Sequence, residues 1–277
     1  METAASMSVD KAKTKPFPWP RVVVGLATLV TIVFLYFTPP GLLTKADAVA
    51  YAVCHRIAGH SFFIAGRQLP LCQRCTGTFI GALLGFFGQI VVLRRRRTAE
   101  FPPPLVIGAL LLFTGLWAGD GFNSYLNMIG GPYLYEPQPW LRLITGALNG
   151  LMMTGLVFPV FNFTLWREPS MERSIRGLKE LGLLVLLELA FAGIVLTKWD
   201  GLLYPLGILS ALGVMTLLST VNTMIIVMVV GRENAVDTWQ EALIPLLAGY
   251  TLSVIQVGVI GLVRYAFTGT LGGFLPM

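Results

Sequence analysis

A chain of 277 residues that is 55% hydrophobic and only 12% charged, with a mean hydropathy of +0.73, is too apolar to be a soluble domain. Its net charge of +6 is divided among short loops, with no stripe of basic and aromatic residues, so a nucleic-acid groove is excluded. What remains is an all-α polytopic membrane protein whose main partner is the lipid bilayer.

In chain order, residues 1–20, with Lys11, Lys13, Lys15 and three prolines by Pro20, are expected to form a flexible tail. Residues 21–277 are expected to form a single transmembrane helical domain with seven spans: Arg21 to Thr38, Cys75 to Leu93, Pro103 to Gly119 (its helix continuing to Leu126), Trp140 to Trp166, Leu178 to Thr197, Leu202 to Val230, and Ala242 to Val263. No signal-peptide cleavage pattern follows the first apolar run, so it is kept as a helix.

Lysines and arginines are retained on the cytoplasmic side of short loops, and their placement predicts orientation. The tail through Arg21, Arg94 to Arg97, the group Arg167, Arg173, Arg176 and Lys179, and Arg232 together hold 13 of the 20 basic residues, on alternate loops. The N-terminus is therefore expected in the cytoplasm and the C-terminus outside, in the cell membrane, with the loop 39–74 facing outward.

That loop carries the chemistry. All three cysteines and both histidines lie within 22 residues: Cys54-His55, His60, and Cys72-Gln-Arg-Cys75. Thiolate and imidazole bind borderline-soft metals, and Cys-x-x-Cys is also the spacing of dithiol redox couples. Between Cys54 and Cys72, Ser61 to Leu71 reads as a short hairpin turning at Ala65-Gly66, which would return Cys72 toward Cys54. Cys72 and Cys75 begin the second span, where free backbone N–H groups and the nearby Arg74 favour thiolates. The preferred reading is a zinc site of Cys54, Cys72, Cys75 and either His55 or His60. A redox-active or structural disulfide and buried reduced thiols are the other readings. Thr76, not His, follows the Cys-x-x-Cys pair, which disfavours haem attachment.

The stretches Cys54-His55-Arg56, Ser61-Phe62-Phe63-Ile64, Gly66-Arg67-Gln68-Leu69-Pro70 and Cys72-x-x-Cys75-Thr76-Gly77 resemble the signature of the bacterial and archaeal integral-membrane family called domain of unknown function 2085. Asp120-Gly121-x-Asn123-Ser124-Tyr125 and Leu141-Arg142-Leu143-x-Thr145-Gly146 fit the same family, so the resemblance covers roughly residues 50 to 155. It implies that these residues form one site in a membrane protein.

Asp120, Asn123 and Asn127 recur on one face at the outer end of the third span, and Arg142, Thr145 and Asn149 do so at the start of the fourth. The two polar stripes are expected to face each other across an antiparallel hairpin. An Asp120 to Arg142 structural pair is the plainer expectation, and a solvent-filled pocket with Asp120, Asn123 and Arg142 as candidate catalytic residues is the sharper one. Gly77, Gly81 and Gly85, with Gly146 and Gly150, have the small-x-x-x-small spacing that lets helices approach closely. Glu188 is the single acid well inside the last three spans, with Asn222 and Gln256 at similar depth on neighbouring helices.

The expected function is thus a multi-pass membrane protein whose extracytoplasmic Cys/His site, holding zinc, shapes a polar pocket for a small polar or lipid ligand. A membrane thiol–disulfide oxidoreductase using Cys72 and Cys75 is the first alternative, and a small-solute or lipid transporter through Glu188, Asn222 and Gln256 the second. A hydrolase with Asp120 as base would lack both an H-E-x-x-H motif and a nucleophile elbow.

Overall fold

The computed structural model describes residues 17–270; most of the expected flexible tail, residues 1–16, lies outside the described residues. The first apolar run is helix α1 (Pro20–Phe37), opened by a proline at its first turn and stopped before Pro39-Pro40, which cannot continue a helix. Helix α2 (Leu42–Val53) then lies inside the segment expected as loop. It buries Leu43, Ala46, Val49 and Ala50, the spacing of one helical face.

Strands β1 (Ser61–Ile64) and β2 (Arg67–Cys72) form an antiparallel hairpin. Its turn residues, Ala65 at φ 48° and Gly66 at φ 74°, are both left-handed, the conformation that matches a two-residue turn to the strand twist. The chain passes directly from Cys72 into α3 (Gln73–Phe87), which is extended by a single π-helical turn, Gly88–Val92. Strand β3 (Thr98–Glu100), α4 (Pro104–Met128) and α5 (Pro139–Leu165) follow. Next come β4 (Ser170–Arg173), α6 (Leu178–Leu196), α7 (Leu203–Val230) and α8 (Trp239–Thr268).

The long helices connect two differently built ends. At one, β3 pairs in parallel with β4, and Trp166 bridges to Val236 between the ends of α5 and α8. At the other sits the β1–β2 hairpin, where the Ala65 N–H donates to Asp200 just before α7. Among the described residues, six helices are long and apolar enough to cross a membrane: α1, α3 with its π turn, α4, α5, α7 with the short 3-10 turn before it, and α8. The expected fifth span is α6, which carries Lys179, Glu180 and Glu188 within 19 residues. It starts just after β4 and ends four residues before Asp200, so its two ends belong to the opposite ends of the bundle.

The centre of the bundle is the contact of α3 with α5. A Cβ placed on Gly81 would lie 2.7 Å from the Ala147 carbonyl oxygen and 2.8 Å from its Cα, while Gly77 faces the Leu143 carbonyl and Gly150 that of Thr78. With no side chain at these positions, the two backbones touch, which maximises dispersion contact where lipid supplies no hydrophobic drive between helices. This contact brings Arg74 in the first turn of α3 beside Arg142 near the start of α5.

Candidate metal centre

Helix α2 ends at Cys54, whose backbone is extended (φ −131°). Two residues on, Arg56 adopts a left-handed conformation (φ 54°), uncommon for a residue with a Cβ and held here by its surroundings. Its guanidinium donates to Asp47 on α2, which also receives Arg67 of the hairpin, and its carbonyl accepts from the Gln68 amide at 2.9 Å. One carboxylate therefore ties α2, the sharp corner and β2 together.

The hairpin register places Ser61 opposite Cys72, and the Cys72 N–H donates to the Cys54 sulfur at 3.2 Å. Cys72 is also the N-cap of α3, its sulfur accepting from the Cys75 N–H at 3.5 Å. All three thiols are free, and Cys54 and Cys72 are buried against Val49, Ala50, Leu71 and Val214. One ligand atom from each of Cys54, His55 and Cys72 lies within 4.8 Å of the others, a grouping that could hold a metal ion. Cys75 joins the same thiol cluster, interacting with both Cys54 and Cys72.

The electrostatics follow from that crowding. Hydrogen bonds from the Cys72 and Cys75 thiols, with further help from the backbone N–H groups of Cys72 and Arg56, pull the Cys54 thiol far below its usual range despite burial. The same bond to Cys54, with burial, pushes the Cys72 thiol up to about 12. The cluster thus concentrates one negative charge on Cys54 and leaves protons that a metal would displace. Burial lowers the pKa of His55, and burial followed by the charge of Arg142 lowers that of His60 to about 4. Both imidazoles are neutral at pH 7, the form that ligates. The His55 Nε2 is buried without a hydrogen-bond partner. His60 stands outside the three-residue grouping, its ring edge-on to that of His55 at 5.6 Å between centroids.

The polar stripes of α4 and α5 do converge on this end, with a different pairing from the one expected. Asp120 is bound to Arg74 of α3 rather than to Arg142, and its other oxygen accepts from the Tyr135 hydroxyl at 2.9 Å. The reason is the close α3–α5 approach, which inserts the first turn of α3 next to α4. Asn123 is used on the connection to α5: its amide donates to the Tyr135 carbonyl and its oxygen accepts from the Leu134 N–H, at 2.8 and 2.7 Å. Arg142 donates to the Gln73 side-chain oxygen and the Ser124 hydroxyl, at 3.3 and 3.4 Å. Asn149 accepts from Thr114 across the same helix pair. Asp120, Asn123 and Arg142 are thus each hydrogen-bonded to neighbouring elements at this end.

The expected deep trio separates. Asn222 donates to Gln256 and Ser253 between α7 and α8, at 3.1 and 2.8 Å, so these amides satisfy one another. Glu188 is elsewhere, buried with neither oxygen hydrogen-bonded and one of them facing Gly81 of α3. Arg264 of α8 had no signal in the sequence beyond being a lone charge at the end of an apolar run. Its guanidinium donates to the carbonyls of Tyr51, Cys54 and His55 and lies 4.0 Å over the Tyr51 ring.

Comparison with known proteins adds a family match over the site. A family described as predicted membrane protein (DUF2085) matches residues 54–156. An uncharacterized protein of Methanocaldococcus jannaschii is 30% identical over 118 residues, covering 41% of this chain and 67% of the relative. Another, of Methanothermobacter thermautotrophicus, is 28% identical over 99 residues, 36% of this chain and 78% of that protein. No solved structure matches the chain. Asp47, Asp200 and Arg264, which hold the Cys/His segment from outside, all lie beyond the matched region.

Proposed function

This chain belongs to the DUF2085 family of predicted membrane proteins, and from that premise we propose that it binds one zinc ion through Cys54, Cys72, Cys75 and a histidine, pinning the hairpin over a polar pocket. The observation that carries this reading is the grouping of a His55 ring nitrogen with the Cys54 and Cys72 sulfurs within 4.8 Å, in a histidine whose Nε2 is buried without a hydrogen-bond partner, with a third thiol in the same cluster. Thiolates with one imidazole suit zinc's borderline softness and close a tetrahedral structural site. Of the two histidines, His55 is the preferred ligand, since it belongs to the compact grouping. When bound, the metal would supply cross-linking of α2, β2 and α3; the chain's own residues supply orientation, through the Arg264 clasp and the Asp47 ion pairs.

The arrangement of ends supports α6 as a seventh span. Seven crossings would put the basic loops 94–97 and 167–179 in the cytoplasm and the hairpin end outside, in the cell membrane. In that orientation the cluster meets an oxidising compartment, where a closed zinc site also protects the thiols. A membrane thiol–disulfide oxidoreductase is the second reading, favoured by the thiolate character of Cys54 beside the protonated Cys72 thiol. Asn222 bonds to Gln256 between α7 and α8 while Glu188 faces Gly81 of α3, so these contacts do not join the three residues that the transporter reading would use.

Elemental analysis of purified protein decides between the two. About one zinc per chain, lost with Cys54→Ser, Cys72→Ser or Cys75→Ser, is expected. Metal-free protein carrying a Cys72–Cys75 disulfide and active in electron transfer would replace the zinc reading with the redox one.

A further inference from the structure

Beside the thiol cluster, two guanidinium groups converge on one hydroxyl. Arg74 Nη2 donates to the Ser124 Oγ at 3.0 Å and Arg142 Nε at 3.4 Å. The carboxylate that meets these groups among the described residues, Asp120, is engaged by Arg74 and by the Tyr135 hydroxyl. Arg142 is 6% exposed, and its hydrogen-bond partners, the Gln73 Oε1 and the Ser124 Oγ, are both neutral.

The other shielded arginines of the described residues have fuller sets of acceptors. Arg56 has Asp47, Arg74 has Asp120, and Arg95 has Glu172 and Glu180. Arg264 has three carbonyls and an aromatic face. A guanidinium cannot lose its proton to escape burial, and a buried charge without a counter-charge is expensive. Arg74 and Arg142 therefore have one carboxylate between them among the described residues, with the thiol cluster as the other negative group that acts on Arg142. The first turns of α3 and α5, which carry Gln73 and Arg142, add backbone N–H dipoles of the same sign.

We propose that Arg142, with Gln73 and Ser124 beside it, binds an oxyanion of the phosphate class, either free phosphate or the phosphodiester of a lipid headgroup. The inference names the ligand of the polar pocket in the proposed function and rests on that half of it alone, since no metal is needed for it. A planar guanidinium offers two parallel donors to phosphate oxygens, and the Ser124 hydroxyl supplies a further donor once Arg142 turns toward the anion, while the Gln73 amide stays on the Ser61 carbonyl.

The test uses full-length protein purified free of phosphate, either in detergent or in nanodiscs of phosphatidylcholine with and without phosphatidylglycerol. Inorganic phosphate is titrated by calorimetry, and retained phosphatidylglycerol is counted by native mass spectrometry. One phosphate or one phosphatidylglycerol per chain is expected, weakened by at least about tenfold in Arg142→Gln and partly restored in Arg142→Lys. Phosphate uptake in detergent identifies a free oxyanion as sufficient, and retention of phosphatidylglycerol without phosphate uptake identifies the headgroup. Wild-type protein that takes up neither, or binding that survives Arg142→Gln, overturns the inference. Zinc measured on the same preparations separates the two proposals. Anion binding by zinc-free wild-type protein sinks the metal reading and supports this one. Zinc loss in Arg142→Gln, with no anion on the wild type, makes Arg142 the counter-charge of the thiolates and overturns the oxyanion site.

Discussion

Arg264, thirteen residues from the C-terminal end of the chain, donates to the backbone carbonyl of Cys54, the first residue of the Cys/His segment. With its bonds to the Tyr51 and His55 carbonyls, this makes α8 a clamp on the corner that presents Cys54 and His55. Hydrogen bonds from a charged donor contribute about 1.5–3 kcal/mol, so Arg264→Gln is expected to lower stability by about that much. It should also raise hydrogen exchange at residues 54–56 and weaken metal retention, with Arg264→Lys intermediate. Unchanged exchange at those residues would show that the clamp does not set the corner.

The Asp120–Arg74 ion pair predicts a specific double-mutant result. Asp120→Ala strands a largely shielded guanidinium and should cost about 3–5 kcal/mol. Adding Arg74→Leu should recover much of the loss, because both charges then leave together; adding Arg142→Leu should recover little. Apparent melting temperatures of the singles and doubles measure this. Equal rescue by either arginine change would mean that the carboxylate serves both alike.

Gly81 and Gly108 form a matched pair of substitutions within the membrane helices. A Cβ on Gly81 meets the backbone of Ala147 at 2.7 and 2.8 Å, whereas one on Gly108 of α4 meets nothing within 4 Å. Gly81→Ala should therefore lower stability by about 1–3 kcal/mol, since backbone cannot rotate away as a side chain can. Gly108→Ala should be close to neutral. Similar effects at both positions would show that α3 and α5 are not in backbone contact.

Acid should destabilise the metal-free protein through its histidines. His60 has a folded pKa of about 4 against an ordinary value of 6.5, lowered by burial and then by Arg142. A depressed pKa means that the unfolded chain takes the proton first, so the stabilisation is complete above about 6.5 and is lost as pH falls toward 4. Thermal melts of metal-free protein should show this loss, and it should shrink in His60→Gln. Identical pH profiles for the two would place His60 in open solvent.

Much of this architecture is legible in the residues alone. Apolar runs longer than a bilayer core announce the helices, because backbone polar groups must be satisfied within each segment there. Pro20, Pro104 and Pro139 mark helix starts, and Gly77, Gly81 and Gly150 announce a close helix contact. The confinement of every Cys and His to one segment marks where the chemistry lies. Helix α2 is less visible, since its 12 residues are too short for a span and carry Lys45 and Asp47. Strands β3 and β4, of three and four residues, have too few positions for any alternation to register.

Only the tertiary structure decided the partners. Spacing along a helix shows that Asp120 and Arg142 lie on polar faces, yet it cannot say that the glycine contact of α3 with α5 inserts Arg74 and takes the carboxylate. Nor can it bring Arg264 across more than 200 residues to the Cys54 carbonyl, or separate Glu188 from the Asn222–Gln256 pair. Local periodicity determines which face of a helix is polar or small, because that depends on 3.6 residues per turn. Which charge meets which depends on how the helices pack, a property of the whole chain that no local pattern carries.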